Sequence, residues 1–443
     1  MRLWLKILMV AAMTIAILVP LSMVRGVIQE RQARRAEAVA DIAASYGGRQ
    51  VLAGPVLVVP YSEEVREQAA DAAGILRTTV RRQTRHWTFF PETLRVDGAL
   101  APEVRRRGLH EVRVYQWQGT MQARFDARIP DDAPEGADRR IGEPWLAYGI
   151  ADVRGLRELP RVQVEGRGLE LAQGIGHREG PGVHARLDAP AVGQRLAFST
   201  RAEFELRGTE SFRMMPLARD NDLRLRSTWP HPRFEGLSPV HDLDGGGFSA
   251  QWKVASLATS AQGRYRQQAS LERSAHPGAV DPDTAGVTLV DSVNAYLQAE
   301  RATKYGVLFV LLTFIAFFMF ELIRQQPIHP IQYGLVGLAI AVFFLLLVSL
   351  GEHIAFGIAY LVAAVACIGL IGFYLSAVLG GALRGAGFAA MLATLYAALY
   401  GLLVSEDNAL VLGAGLLFVV LAAIMVVTRR IDWYRVGAPV IGR

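Results

Sequence analysis

LLLVSLGEHIAFG, residues 345–357, places a carboxylate and an imidazole, Glu352 and His353, in one of the most apolar regions of the chain. Within a bilayer both groups would be costly; in a turn at its surface they cost little. The limits of the apolar runs decide between the two. A hydrocarbon core about 30 Å thick takes about 20 helical residues to cross, because in lipid each backbone group must find its partner inside its own segment. Six runs meet that length, approximately 7–24, 305–323, 333–350, 354–379, 388–404 and 409–427. Glu352 and His353 therefore fall in a turn between the third and fourth spans, as Glu406 and Asp407 fall between the fifth and sixth.

The flanks orient the bundle, since short segments rich in Lys and Arg stay in the cytoplasm. One alternate set carries Arg2 and Lys6, then Arg324, Arg384, and finally Arg429, Arg430, Arg435 and Arg443. The other short turns carry only Glu352 with His353 and Glu406 with Asp407. Both termini are expected to be cytoplasmic and the long segment between the first two spans to lie outside. Arg25, Arg31, Arg34, Arg35, Arg301 and Lys304 oppose this, but they border a long translocated segment, where the rule is weak, and Glu30, Glu37 and Glu300 lie among them. The first run could instead be a cleaved secretory signal; PLSMVRG lacks the small-x-small pattern of a cleavage site, which favours an uncleaved anchor.

The expected division is an N-terminal anchor (1–24), a helical stem (25–46), an outer β-rich domain (47–304), a five-helix membrane bundle (305–427) and a basic tail (428–443). In the stem, VIQERQARRAEAVADIAASY has helical density of Ala, Arg and Glu, and Gly47–Gly48 would close it. Beyond it the apolar period drops to two: Tyr115, Trp117, Met121 and Phe125; Leu196, Phe198, Thr200, Ala202, Phe204 and Leu206; Leu223 and Leu225; Phe248, Ala250, Trp252 and Val254. Such alternation buries one sheet face and wets the other. With no helical repeat between these strands, an antiparallel, sandwich-like domain is expected. DARIPDDAPEGADRR and LERSAHPGAVDPDTAG read as loops.

The outer domain offers little chemistry. HExxH, CxxC and GxSxG are all missing, and GIGHREG has the wrong spacing for a dinucleotide loop. His177 and His184 form one close pair. His231, His241 and Asp242 could hold a metal only weakly, lacking a tighter pattern. Trp229 and Trp252 read as core residues. No cofactor, catalytic residue or enzyme activity is expected. The only cysteine, Cys367, lies in the fourth span, so no disulfide holds the outer domain. Only three of the 47 basic residues are lysine, a base-composition effect and not a nucleic-acid site.

Three sets of residues remain as candidates. Glu352, His353, Glu406 and Asp407 would cap the outer end of the bundle as solvated turns or as an acidic cluster able to hold a cation. Glu300, Arg301 and Lys304, at the start of the second span, would couple electrostatically to that cluster. His329, Gln332 and Tyr333 lie in RQQPIHPIQYG, a short hairpin stiffened by Pro327 and Pro330, where Glu321 would pair with Arg324 one helical turn away.

GGRQVLAGPVLVVPY, STWPHPRFEG, GFSAQW, VNAYLQAERATKYG, HPIQYGLVGLAIAVFFLLLVSLGEHIAFGIAYL, YGLLVSEDNALVLG and RRIDWY, in that order along the chain, resemble the CreD family of bacterial inner-membrane, cell-envelope integrity proteins. Residues 128–140 carry no motif of that family. The resemblance implies an inner-membrane protein tied to envelope-stress response, with no agreed catalytic activity. Two readings follow. In the first, a periplasmic β-domain binds a periplasmic or membrane protein partner while the bundle anchors it in the lipid bilayer. In the second, the protein is a transporter or membrane enzyme with Glu352, His353, Glu406 and Asp407 lining a site at the outer leaflet. Mid-span charges, broken helices and internal repeats would mark a transporter, and the sequence has none of these.

Overall fold

The computed structural model describes residues 3–70, 76–108, 110–133, 138–177, 179–267, 281–290, 295–324, 328–405 and 409–429. The chain divides into two units, Met1–Arg34 with Val293–Arg443, and Arg35–Ser292. Ala295–Arg324 is one continuous helix, so its first turns belong with the apolar helices and not with the β-domain.

The first unit is helical. Leu3–Tyr46 begins in it and ends in the other unit, so anchor and stem are a single helix. Among the described residues five helices are long and apolar enough to cross a membrane: Leu8–Tyr46, Gln298–Glu321, Pro330–Gly351, Phe356–Val378 and Ala382–Val404. Ala409–Thr428 is the sixth apolar helix, with a shorter qualifying stretch, Val411–Val426. Pro330–Gly351 shows why these segments need lipid. It buries Tyr333, Val336, Ile340, Phe343, Phe344 and Leu347, yet also exposes Leu335, Leu338, Val342 and Leu345. A helix apolar on every side suits hydrocarbon on its outer face. Small residues bring the helices close: a Cβ on Gly337 would lie 2.6 Å from Ile17 Cγ1 and 2.8 Å from Phe314 Cζ. Cys367 is buried here, its thiol donating to the Ala339 carbonyl at 3.3 Å and accepting from Tyr396 at 3.1 Å.

The second unit is built of two β-sheets of nine and eight strands. The alternating residues read from sequence fall on His110–Arg128, Arg195–Thr209, Asp220–Ser227 and Phe248–Ala255, all in the eight-stranded sheet. Their apolar faces join residues of the nine-stranded sheet, including Leu52, Leu57, Leu146, Tyr148 and Phe212, in one hydrophobic cluster. Most pairings are antiparallel. Two are parallel: Gln50–Ala53 with Phe212–Met215, and Thr93–Leu100 with Asp220–Ser227. Each joins strands far apart in sequence, where the intervening chain is long enough for a crossover. Trp252 is fully buried, and Trp229 packs against the same cluster with its indole N–H donating to Val290 O at 3.1 Å. Gly47 ends the stem helix with φ +104°, a conformation glycine adopts without strain.

Candidate functional site: an ion-pair collar in the helical unit

Three segments of the helical unit bring charged side chains together. Arg31, on the anchor helix, reaches Glu352 at the C-terminus of Pro330–Gly351, with Nε 3.3 Å from Oε1. The Glu352 side chain is only 8% exposed, so it is largely removed from water, a cost that the Arg31 guanidinium helps to offset. Arg25 donates to the Thr303 carbonyl at 3.0 Å, and Gln32 approaches Glu300 at 3.5 Å, tying the anchor helix to Ala295–Arg324. Glu300 also pairs with Lys304 at 2.9 Å, and Arg34 with Glu30 at 2.6 Å, both one helical turn apart. Val24, Ile28, Ala299 and Ala302 are buried among these charges. The cations that opposed the expected orientation are thus largely engaged.

The candidates distribute as follows. Glu352, Glu300 and Lys304 enter this collar; Arg301 is half-buried on the same helix. His353 sits exposed in the turn, its N–H donating to Leu350 O at 2.9 Å. Glu406 and Asp407 lie outside the described residues, as does any meeting of the two acidic turns. The partner that sequence reasoning missed is Arg31. Its signal was present, a basic residue about two helical turns beyond the first apolar run, but its target lies more than 300 residues away.

Of the expected RQQPIHPIQYG hairpin, residues 325–327 lie outside the described residues; His329 caps Pro330–Gly351, its Nδ1 accepting from Ile331 N at 3.3 Å while Gln332 Oε1 accepts from His329 N at 3.0 Å. This is a reciprocal capping box with proline at the first helical position. Glu321 is buried, accepting from Tyr333 Oη at 3.0 Å and Ile328 N at 3.2 Å. Its expected partner Arg324 has a side chain outside the described set. Here the three hairpin candidates are a helix start and a buried carboxylate's donor.

In the β unit, the sequence reading also missed Glu210. It is nearly buried, has φ 59°, accepts from Arg49, and forms an ion pair with Arg35 at 3.6 Å. A non-glycine residue held there carries strain that its surroundings must offset. Burial, together with nearby Arg35, pushes the Arg113 guanidinium below its usual range. His177 and His184 flank Trp145 at ring-centroid distances of 6.4 and 6.2 Å, each with Nδ1 against a backbone carbonyl at 3.0 and 2.9 Å. The His241 ring lies tilted by 42° against Phe234, with ring centroids 4.8 Å apart. Among the described residues no three His, Cys, Asp or Glu are placed to share a metal ion.

The comparisons agree with this architecture. The family model described as "Inner membrane protein CreD" matches residues 2–434. The Inner membrane protein CreD of Escherichia coli (strain K12) is 33% identical over 428 residues, 96% of this chain and 92% of that relative. With several membrane-length apolar helices and a match across almost its whole length, this chain belongs to the CreD family of inner membrane proteins.

Proposed function

We propose that the chain is a six-span, non-enzymatic protein of the cell envelope, with both termini cytoplasmic and a sandwich-like β-domain displayed in the periplasm to bind a protein partner. Ala409–Thr428 would be the sixth span, since its 20 residues match the thickness of a bilayer core. The reading supports a role in envelope integrity and stress response, the role the family resemblance implies. The observation that carries it is the collar. Arg31, Arg34 and Lys304 are each paired with a carboxylate, so they weigh little against an outward-facing stem. The same pairing favours a binding protein over a transporter or membrane enzyme, because Glu352 is held by Arg31 and is not a free acid lining a site.

The test is tolerance of envelope stress in cells carrying Glu352→Gln with Glu406→Gln. Reduced tolerance at normal abundance and normal membrane insertion supports the role; wild-type tolerance at normal abundance overturns it.

A further inference from the structure

The strands of the eight-stranded sheet turn their apolar side to the core, and their opposite side carries an ordered set of charges. On that side Arg95 lies opposite Gln122, Gln122 opposite Arg201, and Thr93 opposite Arg124. Residues directly opposite are about 5 Å apart and diagonal ones about 7–8 Å. The three arginines therefore surround Gln122. Their neighbours pair off locally: Asp97 with Arg226 at 2.8 Å, Asp222 with Arg224 at 3.1 Å, Glu203 with Arg201 at 3.1 Å, and Glu92 with Arg219 at 3.4 Å. Among the described residues, Arg95 and Arg124 have no carboxylate within 4.0 Å.

The same two residues stand where surface depressions meet. Arg95 lines both a depression of about 290 Å³, with Thr120 and Asp222, and one of about 510 Å³, with Gln163 and Ser199. Arg124 lines the second of these and a third of about 670 Å³ beside Phe89 and Gln262. The result is a connected, shallow track with a guanidinium at each junction. Charges on an open sheet face are ordinarily just solvated; here most of those around the track are paired, and the two arginines at its junctions have no carboxylate in contact.

We propose that this face binds an anionic glycan, with Arg95 and Arg124 each taking an acid group and Thr93, Gln122, Gln163 and Ser199 bonding its hydroxyls. A guanidinium offers two parallel donors that match a carboxylate or a phosphate ester. The first two depressions hold no aromatic ring, so along them a neutral sugar has nothing to stack on; Phe89 and Phe90 line only the third. An acidic peptide would more readily add along a sheet edge, through its backbone, than lie across a face. The proposal does not depend on the topology proposed above.

The test uses the full chain in detergent micelles and fluorescence polarisation with three labelled probes: oligogalacturonate for carboxylates, phosphorylated dextran for phosphate esters, and uncharged dextran. The result expected is binding of at least one anionic probe, weakened by salt, with none of the neutral one. Which anionic probe binds more tightly then identifies the acid group. Arg95→Gln with Arg124→Gln should lower affinity about tenfold or more. Arg186→Gln with Arg233→Gln, which removes the same charge from strands of the nine-stranded sheet, should leave it within about twofold. Equal losses in the two double variants, equal binding of neutral dextran, or no binding of either anionic probe would overturn the proposal. Unchanged melting temperatures establish that both variants fold.

Discussion

Arg31 and Glu352 are 321 positions apart in the chain and 3.3 Å apart in the fold, and they join the anchor helix to the end of Pro330–Gly351. Glu352 is the more deeply placed partner, at 8% exposure against 35% for Arg31, so losing the cation is costlier than losing an exposed one. Arg31→Ala should destabilise the detergent-solubilised protein by about 2 kcal/mol, between the values for exposed and buried pairs. Arg31→Glu with Glu352→Arg should recover part of that loss in a thermal melt. A reversed pair no more stable than Arg31→Glu alone would argue against the contact.

The hairpin carboxylate gives a second expectation. Tyr333→Phe removes the Oη donor from Glu321 and leaves a buried carboxylate short of a hydrogen bond, a change that costs about 1–3 kcal/mol. Glu321→Gln keeps the acceptor oxygen and should cost less. The measurement is the melting temperature of each variant, with membrane abundance as a second readout.

In the β unit, Trp117 occupies a slot formed by two glycines facing each other across adjacent strands, Gly98 and Gly119. A Cβ on Gly98 would lie 2.2 Å from Trp117 Nε1, and one on Gly119 2.3 Å from Cζ2. The indole cannot move without opening the core, so Gly98→Val should destabilise by about 3 kcal/mol or more, at the upper end for overpacking. Gly166→Ala, in a turn where no atom lies within 4 Å, should cost far less and only through its φ of +82°. Denaturant midpoints of the two variants provide the check.

Asp283 supplies a pH dependence. Burial works to raise its pKa, but hydrogen bonds from Ser260 and Thr259 and the Arg264 guanidinium prevail and hold the carboxyl at about 2. A pKa depressed on folding means stability that is complete above about pH 4 and lost as pH falls through about 2. Asp283→Asn should therefore lower stability at neutral pH by about 1–2 kcal/mol, and its deficit against the parent should shrink between about pH 4 and pH 2. A deficit that does not change with pH would show that the carboxylate's charge is irrelevant.

Two further expectations concern organisation. Reporter fusions after Arg384 and after residue 427 should read cytoplasmic; a periplasmic signal at either would overturn the proposed six-span topology. A soluble fragment of residues 46–294 should give a β-type circular dichroism spectrum, and a mainly helical one would count against an independent β-domain. A fragment of residues 35–294 should melt higher, because Arg35 pairs with Glu210 and Asp41 with Arg107 at 2.8 Å.

Much of this protein is written locally. The apolar runs specify membrane helices because lipid leaves no other way to satisfy a backbone, and Pro330 with His329 and Gln332 starts one of them through bonds spanning three residues. The period-two runs at Trp117, Phe204, Leu223 and Trp252 specify strands and their buried faces, since side-chain alternation is a property of each strand alone. The turn position of Glu352 follows in the same way, from the ends of the runs on either side.

Only tertiary structure decided the rest. Which strands lie side by side, including the two parallel pairs, depends on chain crossovers that no local pattern encodes. Gly98 and Gly119 leave the space that the Trp117 indole fills, a match that only the pairing of their two strands creates. Arg31 read as a charge on the wrong side of the membrane, and becomes the partner of a carboxylate hundreds of residues away. Arg95 and Arg124 alternate on their strands like any solvent-facing residue. They stand apart only once the sheet is assembled, because surface depressions meet at both while, among the described residues, neither has a carboxylate within 4.0 Å, and ion pairing is fixed by distance in space and not by spacing in sequence.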